Sequence, residues 1–368
     1  MASSLPTSPK RVLALNCAET LAISAAGGLA FGLGGVPAGY VSGSLTAVAA
    51  AGLIGRPTFV PAPLVRLVLF ALGVVLGAAV TPATLTGVAT WPLSIAMLAL
   101  CMVALFAATS SYLRFVHGWD PLSALFASSP GALSQVIALS VGVQVNLPAI
   151  VIVQTMRVVF LAVGTPIALT AFGHVPSSAN FLGGSVAIHS LPELAILIAA
   201  CAATTFVFER IRFPGAAIFG SMAASAVLHG SGLIVGQLPA WLVIVTMLGV
   251  GAMTGSRFNG TTPRLLLRYI TAAIGAFAVT MTVTIVFVVL LTTLLPFRIA
   301  DVVLAFSPGA QDAMMILVLS LAGDPVYVGA HHVSRFIMVS SALPLLMRIF
   351  GGTTAKPPAR TPDAAPDD

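Results

Sequence analysis

The tetrapeptide Ser129-Pro130-Gly131-Ala132 returns 178 residues later as Ser307-Pro308-Gly309-Ala310. The same offset carries Arg157 onto Arg335 and the pair Gly73/Gly77 onto Gly251/Gly255, while Pro37 meets Pro214 with a slip of one residue. Four landmarks in nearly one register mark an internal duplication, and a repeat of this length gives two fused homologous halves rather than a solenoid. Each half must then fold as the same unit, and the two units must pack on one another.

The medium in which they fold follows from composition. Hydrophobic residues make up 58% of the chain and charged residues 7%, with a mean hydropathy of +1.07. No water-facing surface for 368 residues can be built from such a sequence, so the chain is an all-α polytopic membrane protein. Its 16 Lys and Arg, which give the net charge of +6, are mostly single residues between apolar runs. They form no basic stripe that could track phosphates, so the lipid bilayer, and not nucleic acid, is the expected partner. Cys17, Cys101 and Cys201 lie inside apolar runs and read as small core residues. Lys10-Arg11 before an apolar run imitates a signal peptide, but Asn16 and Glu19 interrupt it, which leaves an uncleaved first span.

Apolar helices are expected near 12–34, 37–54, 64–80, 90–110 and 148–171, with a half-polar segment over 121–145. The second half repeats the series near 187–208, 214–234, 240–255, 268–295 and 326–349, with its mixed segment over 301–322. This divides the chain into a cytoplasmic N-terminus (1–11), a first membrane repeat (12–172), a second membrane repeat (187–350) and a polar tail (351–368) expected to be disordered.

Positive charges orient the spans. If the mixed segments do not cross fully, Lys10/Arg11, Arg56/Arg66, Arg114, Arg210/Arg212, Arg257/Arg264/Arg268 and the tail fall on one side, and the charge-poor connections on the other. Arg298 is the exception. This positive-inside pattern puts both termini in the cytoplasm and gives about five plus five transmembrane helices in two inverted-topology repeats, each with a re-entrant or broken helix at its SPGA motif. The alternative is twelve spans with parallel halves.

Inverted repeats are the architecture of secondary transporters, whose broken helices meet near the midplane. A serine N-cap with proline at the first helical position suggests that each SPGA starts a half-helix, whose free N–H groups and positive dipole end could hold an anion. The same tripeptide could also open an ordinary spanning helix at the interface. The residues that would build the anion pocket are Ser129, Pro130, Gly131 and Gln135 in the first half and Ser307, Pro308, Gly309 and Gln311 in the second. Arg157 and Arg335 each lie nine residues into their last helix, about 13 Å along it and near mid-bilayer. An unpaired guanidinium there costs at least about 2.5–3.5 kcal/mol, so each needs a partner. That partner is an anionic substrate, or else Asp312, Glu193, Glu19 or the carbonyls at the end of a broken helix. Asp312 and His332 are candidates for ion or proton coupling, with a counter-ion and a helix-interface histidine as the respective structural alternatives. Gly73-x-x-x-Gly77 and Gly251-x-x-x-Gly255 read as close helix packing. No set of His, Cys or carboxylate residues has metal-ligand spacing, and nothing calls for a cofactor.

The paired SPG motifs, each followed 27 residues later by Arg, together with Val328-Gly329-Ala330-His331-His332-Val333-Ser334-Arg335, resemble the AbrB duplication membrane-protein family. Its members are variously described as an ammonia monooxygenase, a transcriptional regulator or a regulator of aidB expression. The resemblance covers roughly 30–350 and implies a multi-pass protein of the bacterial cytoplasmic membrane. The family's usual run is Pro-Gly-Gly with Glu a few residues on; here Ala132 and Ala310 replace the second Gly, Gln135 and Ala313 stand in place of the Glu, and Asp312 is next door. The chemistry favours a permease for a small anionic or carboxylate metabolite, with proton coupling as an option, over an enzyme. A membrane-embedded sensor that alters expression indirectly is the alternative, and a metal-dependent monooxygenase comes third. Homo-oligomerisation is left open.

Overall fold

A computed structural model describes residues 9–36, 38–80, 91–131, 136, 139–140, 143–173, 190–234, 236 and 238–351. All regular structure among them is helical. The first half comprises α1 (Pro9–Leu33), α2 (Gly39–Leu53), α3 (Ala62–Ala78), α4 (Trp91–His117), α5 (Pro121–Ser128) and α6 (Leu147–Ala171). The second comprises α7 (Leu191–Arg210), α8 (Ala216–Gly230), α9 (Ala240–Gly255), α10 (Pro263–Leu294), α11 (Ile299–Phe306), α12 (Gln311–Ser320) and α13 (Pro325–Gly351). The two series run in the same order, and α5 and α11 coincide residue for residue at the offset of 178.

Six helices among the described residues are long and apolar enough to cross a membrane: α1, α4, α6, α7, α9 with the 3₁₀ turn Ser256–Phe258 that follows it, and α10. The other expected spans are helical but differ in kind. α2, α3 and α8 have 15 to 17 residues, and α13, with 27, has the length but carries the polar His331-His332-Arg335 run.

The glycine pairs explain how the halves join. A Cβ on Gly73 or Gly77 would overlap Ser221 or Ser225 and the carbonyls of Ile218 or Met222, so α3 lies directly against α8 with both numbers rising together. Gly251 and Gly255 meet Ser44, Leu45 and Val48 in the same way, so α9 runs parallel to α2. Small residues let backbones approach, and the hydroxyls at the seam then bond across it. Ser221 Oγ donates to the Phe70 carbonyl (2.9 Å) and Ser225 Oγ to that of Val74 (2.8 Å). Between α4 and α10, Thr109 meets Thr280 (Oγ1 to Oγ1, 3.0 Å) while Tyr112 covers Gly275, so these two equivalent helices run antiparallel. The turns before α2 and α8 also match: Gly35 and Ala38 are left-handed in one, Arg212 and Gly215 in the other, each pair 177 residues apart. Pro214 therefore keeps its shifted register through α8; Pro37 lies outside the described residues.

Each mixed segment returns to the end it started from. In the second half Arg298, at the start of α11, donates to the carbonyls of Leu321 (3.2 Å) and Ala322 beyond α12, and the Asp324 N–H reaches Asp301 Oδ1 (3.4 Å). α11, Ser307–Ala310 and α12 thus form a helical hairpin with the motif at its tip. With eight and ten residues, its arms are about 12 and 15 Å long. The first half closes through the equivalent pair, the Asn146 N–H donating to Ser123 Oγ (2.8 Å). Arg298, the exception to the charge pattern, is therefore held by capping and by Asp301 at 4.0 Å.

One expectation is corrected here. In the second half the motif serine does not cap the following helix; in the first, the residues after Gly131 lie largely outside the described residues. Ser129 and Ser307 are C-cap residues of α5 and α11, and α12 begins at Gln311 with Ala310 as its N-cap and no side-chain cap bond. Pro308 accordingly precedes the half-helix instead of occupying its first turn. Serine and proline end a helix here because the chain must reverse, and Gly131 (φ 76°) and Gly309 (φ 153°) supply the left-handed geometry for that reversal.

Candidate functional site

The hairpin tips meet in the interior. Pro130 and Gly131 from the first and Gly309, Ala310 and Gln311 from the second line one pocket of about 200 Å³. α13 contributes His332 and Arg335, α12 contributes Asp312, and Pro214, Thr254 and Arg257 close the side nearest the starts of α8 and α10. Arg257 acts electrostatically on Asp312, so that carboxylate has its own cation.

Both duplicated arginines are buried, each 3% exposed. Arg157 Nη1 and Nη2 donate to the carbonyls of Ser128 (3.2 Å) and Ser129 (2.7 Å), and Arg335 Nη1 donates to that of Ser307. Each guanidinium thus caps the negative end of the half-helix before its motif, where cations are favoured. Of the partners foreseen, the broken-helix carbonyls are the ones found; Glu19 instead pairs with Arg56 at 3.1 Å near the surface. Arg335 Nη2 also meets His332 Nδ1.

Carbonyl capping leaves the charges themselves uncompensated. Neither arginine makes an ion pair among the described residues, and the two lie close enough for Arg157 to act on Arg335. Arg157 Nε and Ser307 Oγ are buried without a hydrogen-bond partner among the described residues. A Cβ on Gly309 would sit 3.7 Å from that Nε, so the bare glycine leaves the guanidinium facing the second tip. Arg335 thus lines the small pocket, and Arg157 stands behind it with one donor, Nε, left over.

Of the residues singled out in the sequence, Pro130, Gly131, Gly309, Gln311, Asp312, His332 and Arg335 line this pocket. Ser129, Ser307, Pro308 and Arg157 are buried behind it, and Gln135 lies outside the described residues. Sequence reasoning passed over Arg257 as a site residue because it served there as a topology marker. It considered the pair His331-His332 for proton coupling and chose His332, but passed over the buried trio to which His331 belongs: Ser94 of α4 bonds both Tyr327 (Oγ to Oη, 2.7 Å) and His331 (Oγ to Nε2, 2.7 Å). Comparison of the two halves position by position would have exposed it, because the residues equivalent to Ser94, Tyr327 and His331 are Ala272, Ala149 and Val153.

No solved structure matches the chain. It is similar to the uncharacterized protein YhjN of Bacillus subtilis (strain 168), with 25% identity over 356 residues covering 89% of this chain and 91% of that protein. A family sequence profile described as "Transition state regulatory protein AbrB" matches residues 4–351, a stretch that holds both halves, both hairpin motifs and both buried arginines. The chain belongs to the AbrB family.

Proposed function

We propose that this protein is a secondary transporter of the cytoplasmic membrane that carries a small anionic or carboxylate metabolite through the pocket between the two hairpin tips. One observation carries the reading: two buried arginines at equivalent positions have no carboxylate partner among the described residues, and Arg335 lines the pocket while Arg157 is buried behind it. A volume of about 200 Å³ holds about seven waters and suits an anion of a few carbon atoms.

The architecture that goes with this function is a pair of inverted repeats, each with a re-entrant hairpin. With α2 and α3 taken as consecutive spans of opposite direction, the parallel packing of α3 with α8, the counterpart of α2, supports the inversion. The antiparallel crossing of α4 and α10 supports it independently. With positive charges inside, both termini are cytoplasmic, the base of the second hairpin is at the outer face, and the pocket lies toward the inner face, where Arg257 stands.

The test is counterflow of labelled pyruvate, succinate, sulfate and phosphate in proteoliposomes preloaded with the same anion. We expect saturable exchange of at least one of them. Arg335→Gln is expected to reduce it about a hundredfold, since losing one partner of a buried charge pair costs about 2–5 kcal/mol. Exchange of none of the four by well-folded protein, or full exchange by the variant, would refute the assignment.

A further inference from the structure

We propose that His331 is a proton-binding site loaded from the outer face through Tyr327 and Ser94, and that its protonation is coupled to anion occupancy beside Arg335. The inference rests on the transporter reading above and adds the coupling residue and its route.

The hydrogen bonds fix where the protons are. His331 Nδ1 lies 2.8 Å from the Tyr327 carbonyl, which can only accept, so Nδ1 carries the hydrogen and Nε2 presents its lone pair. The Ser94 hydroxyl must therefore donate to Nε2, and Ser94 Oγ must accept from the Tyr327 hydroxyl. The chain Tyr327 to Ser94 to His331 is directional and ends on a vacant base. A proton reaching the Tyr327 oxygen releases that hydroxyl's own proton to Ser94, and Ser94 passes its proton to Nε2. One proton enters, one imidazolium forms, and rotation of the two hydroxyls resets the relay.

The source lies at the correct end. From Asp324, just before α13, Tyr327, His331 and Arg335 follow every three or four residues along one face of that helix, from the hairpin base to the pocket. Asp301 and Asp324 meet at that base, and both act electrostatically on Tyr327. The other half keeps the geometry but loses the chemistry. Ser123 and Asn146 replace the two acids, Ala149, Val153 and Ala272 replace the trio, and the three apolar residues are buried as fully as their polar counterparts. Packing at this crossing therefore does not require a polar trio.

The groups around His331 define the coupling. α4 brings Ser94, with the Cys101 thiol beside Arg335; α11 brings the Phe306 ring, with Asp301 acting on Tyr327; α13 brings Tyr327, His332 and Arg335, and Asp324 stands just before it. α5 carries no titratable side chain, and Asp312 of α12 lines the pocket beside Arg257. The nearest cation is Arg335, one turn away, which opposes a second positive charge at His331. An anion against Arg335 removes that opposition, so anion and proton each favour the binding of the other.

The experiment compares wild type, Tyr327→Phe and His331→Gln in proteoliposomes loaded with pyranine. Counterflow of whichever of the four anions exchanges needs no net proton movement, whereas internal acidification on adding that anion outside does. Both variants are expected to retain counterflow within about twofold and to lose acidification about a hundredfold, the low end for removing a positioned proton-transfer group. Unchanged acidification per anion exchanged would overturn the proposal and leave the transporter reading standing. So would parallel loss of both activities in Tyr327→Phe, which keeps the ring and its packing. Absence of counterflow in the wild type would sink the transporter reading and this inference with it.

Discussion

Ala310 has a left-handed backbone (φ 49°) at the N-cap of α12, a geometry that glycine adopts without cost. An alanine there is strained at the tip, where glycine would not be. Ala310→Gly is expected to raise stability by a few tenths to about 1 kcal/mol, read as a higher unfolding midpoint in detergent, with unfolded-chain entropy opposing the gain. The duplicated motif and arginines were legible in the sequence because identical residues at one offset stand out. The trio was not, because its members differ between the halves and Ser94 is 237 positions from His331. The role of the motif serine was misread for a local reason. Ser-Pro begins helices on propensity alone, whereas here tertiary capping by arginine ends one first.

At the level of elements, the seams between α3 and α8 and between α9 and α2 hold the halves together. Gly251→Leu would drive a side chain into Ser44 and the backbone at Leu45 and is expected to cost about 1–3 kcal/mol or more. Ser225→Ala, which removes the bond to Val74 and the longer contact with His229 Nδ1 (3.3 Å), should cost about 0.6 kcal/mol. Both follow from unfolding midpoints in detergent, and an equal effect of the two would contradict the packing account. At the base of the second hairpin, Asp324 Oδ1 accepts from the N–H groups of Val326 and Tyr327. Its counterpart Asn146 caps α6 through Ala149 at 3.2 Å. Asp324→Asn should therefore leave stability unchanged within about 0.5 kcal/mol, while Asp324→Ala costs about 1 kcal/mol. Most helices could be placed from hydropathy to within a few residues. The hairpins could not be, because periodicity shows how long an apolar run is but not that the chain turns back within it.

For the whole molecule, the proposed orientation makes equivalent positions face opposite solutions. With Cys17, Cys101 and Cys201 replaced by alanine, exposed probes at Val36→Cys and Ile211→Cys should react with an impermeant thiol reagent from opposite faces. Ile54→Cys should label from the same face as Ile211→Cys. Reaction of Val36→Cys and Ile211→Cys from one face would restore the arrangement of parallel halves. The orientation rests on the charge pattern of the loops between short spans, and the labelling experiment tests it. Which half had taken on the titratable column was hidden until the two could be laid over each other.

The reciprocal seams have a consequence for a single half. α3 is completed by α8 and α9 by α2, so one half alone leaves its glycine stripe bare, while a second copy of the same half, inserted upside down, would cover it. On the inverted arrangement proposed above, a single half could cover its own stripe by pairing with a reversed twin. In a fused pair the copies need not remain identical, so one can carry a column of ionisable side chains that the other lacks.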